Sequence, residues 1–153
     1  MLCRDSCYIH LGGEQYEWAK LSSKLPLEGE FEITLQLITK SEIFRDVFGI
    51  AWTPFKELHH DSTLGGAQNP NSLGLDFSTG SLIRNFNSSR YGPPLSAGDV
   101  VTAVVNMNEH TLRYKVNGED MGVAFDRVPS QGVYFCLSMA MRHSSVEILE
   151  MRC

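Results

Sequence analysis

Residues 112–125, "LRYKVNGEDMGVAF", decide the fold of this chain. Leu112, Tyr114 and Val116 alternate with two basic residues, which is the two-residue period of a strand with one buried face. Asn117-Gly118 follows directly. Both central positions of a type I′ turn need a positive φ, which Asn and Gly adopt with the least strain. The stretch therefore predicts a tight β-hairpin.

Gly122 lies in the second strand of this hairpin, between Met121 and Val123, where a strand interior normally carries a side chain. A glycine at such a position indicates either a β-bulge or the close approach of another backbone. We expect the hairpin to be structural, with almost none of it in contact with a ligand.

The rest of the chain repeats the strand pattern. In "FEITLQLI" (31–38) apolar and polar residues alternate, which predicts one buried and one solvated face. Three nearly continuous apolar runs, "VFGIAW" (47–52), "VVTAVV" (100–105) and "VYFCLSMAM" (133–141), predict central strands covered on both faces. No segment carries a 3.6-residue apolar period long enough for a substantial helix. Ten or so short strands must then pack as two sheets around one core.

Turn and loop signals separate these strands. "SLGLDFS" and "SLIRNF" flank Thr79-Gly80 and predict a second hairpin, while "SSVEILEM" predicts the last strand. The longest irregular stretch, residues 53–71, predicts a surface loop with one short helical turn near Phe55 to Leu58. The predicted fold class is all-β, a β-sandwich of two antiparallel sheets.

Length and charge restrict the class of protein. A chain of 153 residues buries roughly two-thirds of its unfolded surface in one core, so we predict a single domain, residues 1–153, with residues 1–30 the least clearly patterned. A net charge of −5 argues against nucleic-acid binding. No apolar stretch approaches the roughly 20 residues that span a bilayer, and "MLCRDSCYIH" lacks the apolar core of a signal peptide. We predict a cytoplasmic monomer with no membrane association.

Metal and cofactor sites are weakly indicated. Cys3, Cys7 and His10 fall short of the four ligands of a zinc site, and Cys136 lies in an apolar run where a buried reduced thiol is the ordinary interpretation. Residues 59–61, "HHD", are adjacent on an irregular segment, where side chains rarely converge on one ion. We therefore predict no metal and no cofactor.

Catalytic patterns are also weak. A glycosidase needs two carboxylates about 5 to 9.5 Å apart across a cleft, and Glu147 and Glu150 in the last strand are the nearest candidates. Three positions apart on a regular strand, they point to opposite faces, so they cannot form that pair without the help of a bulge. No nucleophile elbow, phosphate-binding glycine loop or dinucleotide fingerprint occurs. We predict a non-catalytic protein, and a hydrolase that uses Glu147 or residues 59–61 stays as the third hypothesis.

The opening hairpin also belongs to a longer pattern. Residues 98–125, "GDVVTAVVNMNEHTLRYKVNGEDMGVAF", resemble the carboxyl-terminal signature of SPRY domains: a Gly-Asp turn, a buried strand, an amphipathic strand, "NG" and a "G-x-A-F" segment. "SLGLDFSTGSLIRN", "FGIAW" and "VYFCLSMAM" resemble further segments of this family in the family order. The resemblance covers roughly residues 30–150. The chain departs from the pattern at Phe135, where many members carry proline, and at Met141, where SOCS-box-associated members carry tryptophan.

The resemblance implies a bent antiparallel β-sandwich of the concanavalin-like jelly-roll type, without enzymatic activity. It further implies a eukaryotic protein-interaction module that binds a short peptide through loops at one rim, with substrate recognition in a ubiquitin-ligase adaptor as one role. By position, three loops of the family correspond to three segments here. The implied peptide-binding residues are Lys20, Lys24, Arg90, Tyr91, Gly92, Ala140, Met141 and Arg142. We expect Tyr91→Ala and Arg142→Ala to abolish binding with little change in the thermal midpoint.

The alternative to a peptide-binding module is a carbohydrate-binding module, because lectins present ligands on a similar sandwich. Fold analogy and exposed aromatic residues are its only support. A glycan array with and without calcium would distinguish the two.

Overall fold

A computed structural model describes residues 8–10, 16–39, 45–59, 62–140 and 144–152, which form twelve β-strands and one short 3-10 helix. In chain order the strands are β1 (Tyr8–His10), β2 (Tyr16–Lys20), β3 (Glu30–Thr39), β4 (Val47–Ala51), β5 (Ser72–Asp76), β6 (Leu82–Arg84), β7 (Asn87–Ser89), β8 (Val100–Asn106), β9 (Thr111–Val116), β10 (Glu119–Phe125), β11 (Tyr134–Ala140) and β12 (Ser145–Arg152). The 3-10 helix, Phe55–Glu57, is the helical turn that the sequence predicts.

The strands form two antiparallel sheets. The seven-stranded sheet has the order β1-β2-β11-β4-β5-β6-β7, and the five-stranded sheet has the order β10-β9-β8-β3-β12. Tyr114 of β9 joins them, because its hydroxyl donates to the carbonyl of Phe48 in β4 and its ring packs edge to face on the Phe48 ring at 6.0 Å. The predicted all-β sandwich is confirmed.

The main core lies between the sheets. Phe31, Ile33, Leu35 and Leu37 of β3 point into it, as the alternation predicts. All five residues of β4 are buried, and so are the described side chains at 133–138, which confirms two-sided cover for these strands. The prediction is wrong for β8, whose residues alternate between buried and half-buried positions over most of its length.

A second cluster covers the outer face of the seven-stranded sheet. Its buried members are Trp18, Val47, Ala51, Leu58, Leu64, Ile83, Tyr134 and Cys136. Leu58 and Leu64 come from residues 53–71, so the prediction of a surface loop is wrong for much of this segment. The buried side chain of Asn69 explains how this polar segment can pack on the sheet. Its Nδ2 donates to the carbonyls of His59 and Thr63, and its Oδ1 accepts the His59 N–H at 2.8 Å. The loop therefore satisfies its own main chain.

The decisive hairpin forms as predicted. Asn117 and Gly118 have φ of 51° and 83°, as a type I′ turn requires. Gly122 has a φ of 90° and lies where the β9–β10 register shifts, so the predicted bulge is confirmed. The predicted close backbone approach is wrong, because a Cβ at Gly122 would meet no atom within 4 Å.

Two further observations concern the predicted thiol and the prediction of no membrane association. Cys136 is buried and is not part of a disulfide, as predicted. The described part of the chain has no helix with the length and hydropathy that a membrane crossing requires.

Candidate functional site

Residues 91–95, "YGPPL", run beside the β5–β6 turn, and we call this segment the ridge. Two main-chain hydrogen bonds fix it to that turn: Gly92 donates to Gly80 at 3.0 Å and Leu95 donates to Phe77 at 2.9 Å. Gly80 has a φ of 73°, and a Cβ there would overlap the carbonyl oxygens of Gly92 and Pro93. Only glycine permits this approach.

Tyr91 fixes the other side of the ridge to the five-stranded sheet. Its hydroxyl donates to the Gly122 carbonyl at 2.6 Å and accepts the Tyr114 N–H at 3.3 Å, and its ring packs edge to face on the Tyr114 ring at 6.2 Å. Burial raises the pKa of the Tyr91 phenol, so the hydroxyl stays protonated and able to donate. Tyr91 is thus an anchor of the ridge. We therefore revise the expectation that Tyr91→Ala leaves the thermal midpoint nearly unchanged, and we expect its loss to lower stability as well as binding.

A cleft of about 570 Å³ opens on the β7 side of the ridge. Its lining residues are Thr79, Ser81, Ser88, Ser89, Arg90, Tyr91, Gly92, Pro93 and Pro94. Four of them carry aliphatic hydroxyls, and Arg90, which is exposed, supplies the only charge among these described lining residues. We call this the basic cleft. It contains the three predicted binding residues of the middle loop, Arg90, Tyr91 and Gly92.

A second cleft, of about 400 Å³, opens on the other side of the ridge. Its lining residues are Pro93, Pro94, Leu95, Asp99, Val116, Asn117, Glu119 and Met121. Asp99 is held in place because its carboxylate accepts the Ser96 N–H at 2.8 Å and the Asn117 amide N–H at 3.1 Å. Glu119 is exposed. We call this the acidic cleft.

Of the remaining predicted binding residues, Lys20 and Lys24 line neither cleft. Lys20 pairs with Cys136 in the ladder where Ala140 pairs with Tyr16, so Lys20 and Ala140 lie roughly 13 Å apart along the strands. Ala140 is at the ridge's end of the seven-stranded sheet, but three strands separate β11 from β7, a distance of roughly 19 Å. Met141 and Arg142 fall outside the described residues.

Both predicted lysines pack on their own end of the sheet. The Lys20 ammonium lies 5.1 Å from the centre of the Tyr134 ring. The aliphatic stem of Lys24 covers Gly132, where a Cβ would come within 2.6 Å of its Cδ. The structure therefore divides the predicted site and leaves Arg90, Tyr91 and Gly92 as its connected part.

The catalytic candidates occupy open surface. A register shift between Ile148 and Glu150 puts Glu147 opposite Gln36 and Glu150 opposite Thr34, so both carboxylates share the outer face of the sheet. The expectation of opposite faces is wrong because β12 is not a regular strand. Glu147 is exposed, and the Arg152 Nε donates to Glu150 at 2.7 Å. The two carboxylates therefore do not face each other across a cleft.

The metal candidates are tested in part. His60, Asp61, Cys3 and Cys7 fall outside the described residues, as does the side chain of His10. Within the part of the chain that the structure describes, no three His, Cys, Asp or Glu side chains group closely enough to hold a metal ion.

Sequence reasoning missed most of the cleft lining and one exposed aromatic. The acidic cleft brings Asp99 and Glu119 together on one side of the ridge, which no local pattern announces. It also places Glu119 of the opening hairpin in a cleft, although we expected almost none of that hairpin to contact a ligand. Phe86 is 74% exposed at the tip of the β6–β7 hairpin, with a φ of 64° that a bulky residue rarely adopts. The "NF" pair at positions where "NG" is favoured was a signal that the sequence offered.

A two-sheet sandwich whose end loops form clefts on a rigid frame has the architecture of a recognition module. A model of the SPRY domain matches residues 31–152, so the chain belongs to the SPRY domain family. SPRY domains are generally non-catalytic protein-interaction modules. The predicted family is confirmed, while the narrower likeness to SOCS-box-associated and tripartite-motif members stays a prediction.

Solved structures and one curated protein are similar to this chain. The SPRY domain of human HERC1 superposes with a TM-score of 0.74 at 18% identity, covering 96% of this chain and 94% of that one. Another human SPRY domain gives a TM-score of 0.70 at 14% identity, covering 94% and 96%. At such identities the likeness shows the fold. The Ran-binding proteins 9/10 homolog of Drosophila melanogaster is 40% identical over 45 residues, which are 29% of this chain and 5% of that protein's length.

Proposed function

We propose that this SPRY domain binds a short, extended segment of a partner protein in the basic cleft, against the ridge. One observation carries the proposal: Arg90, Tyr91 and Gly92, which the family resemblance implies as binding residues, line a single cleft of about 570 Å³. The cleft is large enough for a few side chains of a peptide.

Rigidity of the ridge favours binding. Hydrogen bonds from Gly92 and Leu95 hold one side, and the Tyr91 hydroxyl holds the other. A preformed groove loses little conformational entropy when a peptide binds, so more of the contact energy appears as affinity. Tyr91 then acts mainly as a positioning residue, and Arg90 is the exposed side chain that contacts the peptide.

The edge strand β7 provides main-chain partners for an extended peptide. Arg84 and Asn87 flank the two-residue turn as a hydrogen-bonded pair, so Ser88 occupies the next, non-hydrogen-bonded position. Its N–H and C=O therefore point away from β6. Ser88 lines the basic cleft, and an incoming strand can bond to it by the strand-addition mode of peptide recognition.

The wider role is part of the same proposal. We infer a monomeric domain of residues 1–153 in the cytoplasm, acting as the recognition part of a larger assembly such as a ubiquitin-ligase adaptor. Support for that assembly comes from the family resemblance alone. The net charge of −5 favours a protein partner over nucleic acid.

Selection from a displayed library of random peptides tests peptide binding. The baits are the wild-type domain, Arg90→Glu and the matched control Arg127→Glu. The control reverses the charge of another exposed arginine, which lies next to the main-chain hydrogen bond from Val128 to His110. We expect peptides enriched on the wild type to be retained by Arg127→Glu and depleted several-fold on Arg90→Glu, with equal thermal midpoints. Equal retention by all three baits, or no enrichment on the wild type, would contradict the proposal.

A further inference from the structure

The ridge separates two clefts of opposite charge. Arg90 is the charged residue of the basic cleft, and Asp99 and Glu119 are the charged residues of the acidic cleft. Pro93 and Pro94 line both clefts, so the two openings meet along the exposed rings of these prolines. A chain lying across the ridge would contact both charges.

Among the described residues, these charges differ from their neighbours in lacking ion-pair partners. Arg113 and Asp120, close by on the β9–β10 hairpin, pair with each other at 3.1 Å. Arg90, Asp99 and Glu119 take part in no ion pair with any other described residue. Their fields are therefore available to a ligand.

The acidic cleft is also preformed. The Asn117 N–H donates to the Val100 carbonyl at 2.7 Å, and the Asn117 amide oxygen accepts the Val100 N–H at 2.9 Å. Together with the Asn117 bond to Asp99, these contacts fix the β9–β10 turn against the start of β8. Glu119 follows that turn directly, so the position of its backbone is fixed with it.

We propose that the bound peptide crosses the ridge, placing an acidic side chain at Arg90 and a basic side chain at Asp99 and Glu119. This inference rests on the proposed function and specifies the chemistry of its ligand. The domain's net charge of −5 disfavours acidic peptides at long range. Selection of an acidic residue must therefore come from local contact with Arg90.

Affinities of synthetic peptides test the inference. A peptide recovered from the library is compared with versions in which the acid, the base or both are replaced by serine, using fluorescence anisotropy. The proteins are wild type, Arg90→Glu, Glu119→Lys and the double variant. We expect each single reversal to weaken the wild-type peptide about three- to fivefold, the upper part of the range for exposed charge pairs, because a reversal replaces attraction by repulsion. The double variant should prefer the peptide with the two charges exchanged.

A matched control separates local contact from the general field. Glu109→Lys makes the same charge change at an exposed position in the β8–β9 turn. We expect it to leave the affinity unchanged, and an equal loss from Glu109→Lys and Glu119→Lys would overturn the inference. Peptides that depend on Arg90 but carry no acid–base pair would also overturn it while leaving the proposed function standing. Peptides insensitive to Arg90→Glu would contradict the proposed function itself.

Discussion

The two ends of the seven-stranded sheet hold their loops in different ways. At one end, residues 21–25 continue alongside β11: Leu21 donates to the Phe135 carbonyl at 2.9 Å and Leu25 donates to the Val133 carbonyl at 2.7 Å. Leu21 and Leu25 are buried, and the Lys24 stem covers Gly132. At the other end, the ridge bridges the two sheets and leaves a cleft on each side.

The difference shows where such a sandwich can bind. A segment that extends a strand ladder fills the space beside it with its own side chains, as residues 21–25 do. A segment that bridges two sheets is fixed only at its ends, so grooves remain along it. The ridge, rather than the lysine-bearing loop, therefore has room for a ligand.

The largest loss of stability at the ridge is expected from a substitution that prevents the close approach of Gly80 to the ridge. In Gly80→Ala the Cβ overlaps the Gly92 and Pro93 carbonyls at a positive φ, and we expect a loss of roughly 2–4 kcal/mol of unfolding free energy. Urea denaturation measures the loss. The matched control is Gly98→Ala, where φ is 95° but a Cβ would meet nothing within 4 Å. Only the conformational cost of about 1 kcal/mol applies there, and equal losses would refute the steric argument.

Removing Tyr91 should loosen the other side of the ridge. We expect Tyr91→Ala to cost about 2–3 kcal/mol, because a half-buried aromatic ring and two hydrogen bonds are lost. Tyr91→Phe keeps the ring and should cost about 1 kcal/mol. Thermal denaturation of both variants checks that Tyr91→Ala is less stable than Tyr91→Phe. A Tyr91→Ala domain as stable as wild type would show that Tyr91 is free to serve as a contact residue instead.

At the lysine end, the strained turn offers a stabilising change. Phe86→Gly converts the Asn85-Phe86 turn into the favoured Asn-Gly turn, and we expect a gain of roughly 0.5–1 kcal/mol as left-handed strain is relieved. The Tm should rise while peptide binding stays unchanged. A lower Tm would mean that the exposed ring makes a stabilising contact.

The smallest effect is expected from the predicted lysines. Lys24→Ala removes an exposed side chain, and we expect less than about 0.5 kcal/mol of change and no change in the peptides selected. The peptide-library selection described for Arg90→Glu measures whether the same peptides are recovered. Loss of the selected peptides on Lys24→Ala would restore the lysine loop to the binding surface.

Much of the fold follows from local sequence. The β9–β10 hairpin is specified by alternation and by one turn pair, because strand period and φ preference are properties of adjacent residues. The loop of residues 53–71 is different. Its burial depends on Asn69 bonding to the main chain ten positions away, at His59. Composition cannot reveal that pairing, so a polar segment was expected at the surface.

The candidate site follows the same rule. Arg90, Tyr91 and Gly92 are adjacent, so a family resemblance is enough to group them. The acidic cleft needs Asp99 and Glu119 to meet across a turn, and the anchoring of Tyr91 needs the carbonyl exposed at the Gly122 bulge. Both depend on tertiary packing. The bulge in β12, which moves Glu150 to the face of Glu147, likewise has no local signal.

The central claim is that a peptide binds along the ridge. Titration of the isotopically labelled domain with the tightest selected peptide, followed by amide chemical shifts in NMR spectra, tests it most directly. The account predicts shifts concentrated at residues 79–81, 88–92, 95, 99 and 116–121, on both sides of the ridge. Shifts concentrated at residues 20–25 or around Phe86, with the ridge unchanged, would contradict it.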